Sequence, residues 1–278
     1  MAGHLAAAGH SVTVFNRTAA KSLAWVAEHG HQASPTAVEA CDGAEFVMMC
    51  VGNDADVRQV ALGADGESGA ISALEPGAVF IDHTTASAEV ARELAASCAA
   101  RGVGFVDAPV SGGQAGATNG TLTAMCGCND TDVFSAVSEV IAAYAPNRRL
   151  IGPAGSGQTT KMVNQICIAG VLQGLAEGVA FAQRAGLDIE AVFDTIGKGA
   201  ASSWQMQNRA RTMAAGEFEF GFAVEWMRKD LGICLAEADR LGARLPVTAL
   251  VDQFYKQVVE RDGRRWDTSS LVDLLQRP

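Results

Sequence analysis

Apolar positions in the first half of the chain fall into short blocks separated by stretches of helical spacing. Ser11-Val-Thr-Val-Phe-Asn16 reads as a strand, and Thr18 to His29 as a helix. Glu45-Phe-Val-Met-Met-Cys-Val51 is a continuous apolar run, the pattern of a strand buried on both faces. Gly77-Ala-Val-Phe-Ile-Asp82 repeats it, and Glu89 to Arg101 follows as a helix that Gly102 ends. Gly104-Phe-Val-Asp107 and Leu122-Thr-Ala-Met125 are two further strands, with Leu150-Ile151 a candidate for the last. Strands alternating with helices predict an α/β domain over residues 1–153, doubly wound around a mainly parallel sheet. From residue 154 the period becomes helical. Ser156 to Ala185 reads as one long helix, followed by segments at 188–197, 203–215, 225–242, 246–261 and 268–276. Residues 154–278 are therefore expected to form an all-α domain.

Composition narrows the class. The 278 residues suit one α/β unit plus a smaller partner, and 49% hydrophobic against 19% charged residues is ample for a packed core. A formal net charge of −10 argues against a nucleic-acid surface. It is compatible with an anionic small substrate, because a few local cations override a distant acidic surface. The seven cysteines, at 41, 50, 98, 126, 128, 167 and 234, include no Cys-x-x-Cys pair, and Cys126-Gly-Cys128 is too tight for zinc. They read as small hydrophobes in a reducing cytoplasm, with no metal. The opening residues lack the basic and apolar regions of a signal peptide. Met162 to Ala176 is uncharged but broken by Asn164, Gln165 and Gln173, and falls short of the roughly 20 residues of a membrane span. It is expected to be a buried helix, with no membrane involved.

Chemistry enters with the motifs. Leu5-Ala-Ala-Ala-Gly9-His10 followed by the strand to Asn16 looks like the end of a first helix and the second strand of a dinucleotide-binding unit. Such a unit begins with a strand and a Gly-x-Gly-x-x-Gly turn. The expectation is that a segment of roughly fifteen residues carrying both would precede Met1. At the end of the second strand an acidic residue would hold the ribose of NAD. Asn16, Arg17 and Thr18 stand there instead. A guanidinium can grip a 2′-phosphate bidentately, so NADP(H) is favoured over NAD(H).

Asp107-Ala-Pro-Val-Ser111-Gly112-Gly113 leaves a strand through a stiff proline into bare backbone. The segment suits an anion nest of peptide N–H groups and one hydroxyl around a carboxylate, and it suits equally a Gly-rich turn chosen for its geometry. Gly155-Ser-Gly157-Gln-Thr-Thr-Lys161-Met-Val-Asn164-Gln165 opens the long helix. Lys161, Asn164 and Gln165 share one face by their three- and four-residue spacing. A lysine at the head of so long an uncharged stretch is a candidate acid/base, since burial brings an amine towards the range useful for proton transfer. The alternative is a lysine snorkelling from a core helix.

Taken together, Asp82-His-Thr-Thr85, Asp107 to Gly113, Gly155 to Asn164, and Lys229-Asp230-Leu231 occur in the order seen in the β-hydroxyacid dehydrogenases, the group that includes 3-hydroxyisobutyrate dehydrogenase, and the chain resembles that family over essentially its whole length. The resemblance implies that Lys161 is the catalytic acid/base. It implies that Ser111, Gly112, Gly113, Asn164 and Gln165 line the site of a small carboxylate substrate, and that Val51, Gly52, Thr85 and Lys229 lie near the cofactor. Two departures are local: His83 stands where the family usually has a small or uncharged residue, and 164–165 is Asn-Gln rather than Asn-Asn. His83 is read as structural. A homodimer or homotetramer is expected. Related imine-reducing or 6-phosphogluconate dehydrogenase-like chemistry, or a catalytically impaired dimeric scaffold, are the competing functions.

Overall fold

A computed structural model describes residues 1–64 and 66–276, which divide into two compact units, the first ending at Lys161 and the second beginning at Met162. In the first unit the elements run α1 (Ala2–Ala7), β1 (Thr13–Val14), α2 (Ala19–His29), β2 (Gln32–Ala33), α3 (Ala37–Ala40), β3 (Phe46–Met49), α4 (Asp54–Ala61), β4 (Val79–Asp82), α5 (Ala88–Ala99), β5 (Gly104–Asp107), β6 (Val110–Ser111), α6 (Gly113–Asn119), β7 (Thr123–Gly127), α7 (Thr131–Ile141) and β8 (Asn147–Gly152). A long helix, α8 (Ser156–Arg184), begins at the end of this unit and continues into the second. There it is followed by α9 (Ile189–Ile196), α10 (Trp204–Ala215), α11 (Val224–Leu241), α12 (Pro246–Glu260) and α13 (Asp273–Gln276). The chain is thus a Rossmann-like α/β domain followed by an all-helical one.

β1 and β2 form a parallel pair, and β3-β4-β5-β7-β6 form a larger sheet that β8 extends through β7. β3, β4 and β5 are parallel to one another, whereas β5 and β6 meet β7 antiparallel. The pairs Asp107↔Gly127, Val110↔Ala124 and Ser111↔Thr123 share one unbroken register, and Met125 N donates to Pro109 O between them. β6 is therefore β5 continued across Pro109, whose missing N–H interrupts its own side of the ladder.

Alternating residues of the central strands enter different cores. Phe80 and Phe105 pack with Val57, Val90 and Leu94 of α4 and α5. Val79, Ile81 and Val106 pack with Leu5, Val137 and Ile141 of α1 and α7. Helices on both faces explain why β4 reads as an uninterrupted apolar block. β3 departs from that expectation: Met49 is buried, but Phe46, Val47 and Met48 are only half-buried. β3 pairs with β4 on one edge, and its other edge carries no ladder among the described residues.

The second unit has one core, in which Leu172, Ala176 and Val179 of α8 meet Met213, Met227, Leu231, Val251 and Tyr255. The expected burial of α8 holds for this face alone. Val163, Val171 and Phe181 lie on the opposite face, exposed by 57%, 40% and 74%. By length and composition α8 could cross a membrane, but its inner face is the centre of this core. Five cysteines are buried, and Cys50 and Cys167 are exposed.

Candidate active site

In a parallel α/β sheet the loops leaving the carboxyl ends of the strands are where ligands bind, and here those loops are tied together. Val51 N, after β3, donates to Thr84 Oγ1, after β4, at 3.0 Å. Thr84 N donates to Asp82 Oδ1 at 2.9 Å, and Ser87 N to Asp54 Oδ1 at 2.9 Å. Val51, Gly52 and Thr85 are all half-buried along this edge. Asn16 Oδ1 accepts from Thr18 N at 2.9 Å, which fixes the turn after β1. Between them Arg17, 68% exposed, donates to Asp56 at the start of α4 at 3.0 Å. The cofactor residues expected in this unit therefore lie on loops joined by hydrogen bonds. Uncharged half-buried positions beside an exposed guanidinium fit an extended, anionic dinucleotide.

Two buried acids and a histidine underlie the same edge. Burial pushes the Asp82 carboxyl up to about 7, against hydrogen bonds from Thr84 that lower it. Burial also pushes Asp107 up to about 6, opposed by backbone N–H donors. His83, lowered to about 4 by burial, bridges Ala108 O and Tyr144 Oη, both at 2.7 Å.

Asp107 ends β5 and caps the start of α8. Gly155 N donates to its Oδ1 at 2.8 Å and Gln158 N to its Oδ2 at 2.9 Å. The Gln158 side chain is fully buried: its Oε1 accepts from Ala86 N at 3.0 Å, and its Nε2 donates to Thr84 O at 2.7 Å. Lys161, one turn later, is 7% exposed. Ser111, half-buried, lies four residues beyond Asp107. Gly112 and Gly113, with φ of +124° and +60°, turn the chain into α6. The expected glycine-rich loop is thus a strand end, a left-handed turn and a short helix, which leaves the backbone of 112–113 exposed.

The second unit holds its own linked set. Asn164 Nδ2 donates to Gln165 Oε1 at 2.8 Å, and Gln165 Nε2 to Asp230 Oδ2 at 2.6 Å. Lys229 Nζ lies 3.0 Å from Asp230 Oδ1. Gln165 and Asp230 are each 2% exposed. Asn164, Gln165 and Lys229 are therefore brought together, with Asp230 as the joint. Sequence reasoning missed the parts played by Asp107, Gln158 and Asp230, although all three lie inside the quoted motifs.

Residues 1–152 match the family model described as the NAD binding domain of 6-phosphogluconate dehydrogenase. Residues 155–275 match that described as NAD-binding of NADP-dependent 3-hydroxyisobutyrate dehydrogenase. An oxidoreductase of Shewanella frigidimarina, described as uncharacterized, is 57% identical over 100% of this chain and 94% of its own length. The 3-hydroxyisobutyrate dehydrogenase of Pseudomonas aeruginosa is 30% identical, over 99% of this chain and 93% of its own. Among solved structures, the Mycobacterium tuberculosis 3-hydroxyisobutyrate dehydrogenase with L-serine superposes with a TM-score of 0.87 at 28% identity, covering 99% of this chain and 94% of that one.

Proposed function

The chain belongs to the 3-hydroxyisobutyrate dehydrogenase-like β-hydroxyacid dehydrogenases, which are NAD(P)-dependent oxidoreductases, and from that premise we propose that it moves a hydride between NADP(H) and a small β-hydroxyacid or its semialdehyde. The observation that carries this reading is Lys161, a buried amine one turn into a helix whose start is pinned to the ends of β4 and β5. The bound nicotinamide supplies the hydride acceptor or donor. Lys161 exchanges a proton with the reacting oxygen, removing it from a hydroxyl or returning it to a carbonyl. Ser111 Oγ and the backbone of Gly112 and Gly113 orient the substrate carboxylate. Asn164, held by Gln165, fixes the reacting oxygen. L-serine, present with the Mycobacterium tuberculosis relative, is itself a β-hydroxyacid and supports this substrate class.

Arg17 supports NADP(H), with Asn16 and Thr18 shaping its turn. Asp56, 3.0 Å from Arg17, is the observation that favours NAD(H), since a 2′-phosphate would meet its carboxylate. A second copy of the chain accounts for the exposed face of α8. Gly170, Gly174 and Gly178 have open space where a Cβ would project, and the exposed Val163, Val171 and Phe181 share that face. The test of function is reduction of NADP+ or NAD+, followed by absorbance, with 3-hydroxyisobutyrate, L-serine and other three- to five-carbon β-hydroxyacids. Turnover with at least one of them is expected. Cofactor binding with no turnover across the series would overturn the reading.

A further inference from the structure

Three pieces of the candidate site meet on the first turn of α8. The segment leading to Ser111 leaves β5 at Asp107, whose carboxylate accepts from Gly155 N at 2.8 Å and from Gln158 N at 2.9 Å. The loop bearing Thr85 leaves β4 beside Gln158, whose amide accepts from Ala86 N at 3.0 Å and donates to Thr84 O at 2.7 Å. Lys161 follows Gln158 by three residues, within one turn of a continuous helix. The approach leaves no room for adjustment. A Cβ on Gly157 would lie 2.6 Å from Asp107 O, and one on Gly127 would lie 2.8 Å from Pro153 O. Asp107 and the Gln158 side chain are completely buried, so water offers no substitute partner.

We propose that Asp107 and Gln158 are positioning residues for Lys161: they fasten its helix turn to the Ser111 segment on one side and to the Thr84–Ala86 loop on the other. Neither touches the reacting atoms. Their hydrogen bonds set where the Lys161 amine stands relative to the groups that hold substrate and cofactor. Misplacement of a reacting group by about 1 Å can cost on the order of 10²-fold in rate, so this fastening governs turnover more than binding. The inference rests on the acid/base reading of Lys161.

Gln158→Met keeps the shape and apolar packing of the side chain and removes both of its hydrogen bonds. Asp107→Asn keeps the shape and replaces one acceptor with a donor. In the full chain, the expected result for both is a kcat lowered about 10- to 100-fold, with KM for substrate and Kd for NADPH, read by fluorescence quenching, within about threefold of wild type. A slowed chemical step should also raise the primary isotope effect on kcat with 4-deuterated NADPH. In the apoprotein, amide exchange across 155–158 should accelerate. Should Asp107→Asn fail to fold, Gln158→Met decides, because it leaves both Asp107 hydrogen bonds in place. A folded variant with lowered Tm but unchanged kcat and isotope effect would overturn the proposal. So would a large rise in Kd with normal kcat at saturation, which would make the network part of the cofactor site. Absence of hydride transfer in the wild type would instead sink the reading of Lys161, whereas an active wild type with indifferent variants sinks the positioning role alone.

Discussion

Between Ala108 and Tyr144, His83 is held in one tautomer. The carbonyl of Ala108 can only accept, so Nδ1 carries the proton, and Nε2 takes a hydrogen bond from the Tyr144 hydroxyl. Burial lowers its pKa from 6.5 to about 4. The unfolded chain therefore binds more protons between these values, and the stability His83 contributes is full above pH 6.5 and is lost as pH falls towards 4. Asp82 and Asp107, raised from 3.8 to about 7 and about 6, act in the opposite direction: the folded state holds the extra proton, so the stability they contribute is full below pH 3.8 and is lost as pH rises from there through the folded values. His83→Gln should accordingly be most destabilised relative to wild type above pH 6.5 and least near pH 4, as read from denaturation midpoints. A difference that grew towards low pH would reverse the assignment. At the other end of the same edge, Arg17→Ala should cut the NADPH-over-NADH preference by about 1.5–3 kcal/mol, the value of a charged hydrogen bond. Asp56→Asn should raise the preference. Unchanged ratios of kcat/KM for the two cofactors in both variants would remove Arg17 from cofactor choice.

The Gly-x-Gly that opens α8 is a packing device. Gly155 has φ +91°, a left-handed conformation that side chains resist, and Gly157 brings the helix against the end of β5. Gly157→Ala should cost about 1–3 kcal/mol of stability as overpacking, measured by chemical denaturation; a neutral effect would mean the contact can relax. Of the longer elements, β4 and β5 were legible as apolar runs because their alternate residues enter different cores, and α8 because one face lines the helical core, whereas α4 and α7 went unread. β2 and β6 have two residues each, too few for a period, and α6 carries two glycines with no apolar stripe. Pro109 disguised β6 as a turn. The candidate site was legible as motifs and not as contacts. Gly155 lies 48 residues from the Asp107 that caps it, and Gln165 lies 65 from Asp230, separations that spacing along the chain does not encode.

For the whole molecule, the formal charge of −10 keeps copies apart at long range, so their association needs an apolar contact. The exposed face of α8 from Val163 to Phe181 runs for about 27 Å and is the strip that the proposed dimer would share. Wild type should be a dimer or tetramer by light scattering, and Phe181→Asp should shift it towards monomer; a wild type that is monomeric at micromolar concentration would refute the contact. The proposed hydride transfer depends on one buried amine, that of Lys161. Its most direct test is a single-turnover measurement of hydride transfer in cofactor-saturated wild type and Lys161→Ala, with a β-hydroxyacid that the wild type oxidises. Loss of general acid–base catalysis is worth about 10²–10⁴ in rate. A fall of that size with NADPH affinity within about threefold of wild type is the expected result, and near-normal hydride transfer in Lys161→Ala would contradict the account.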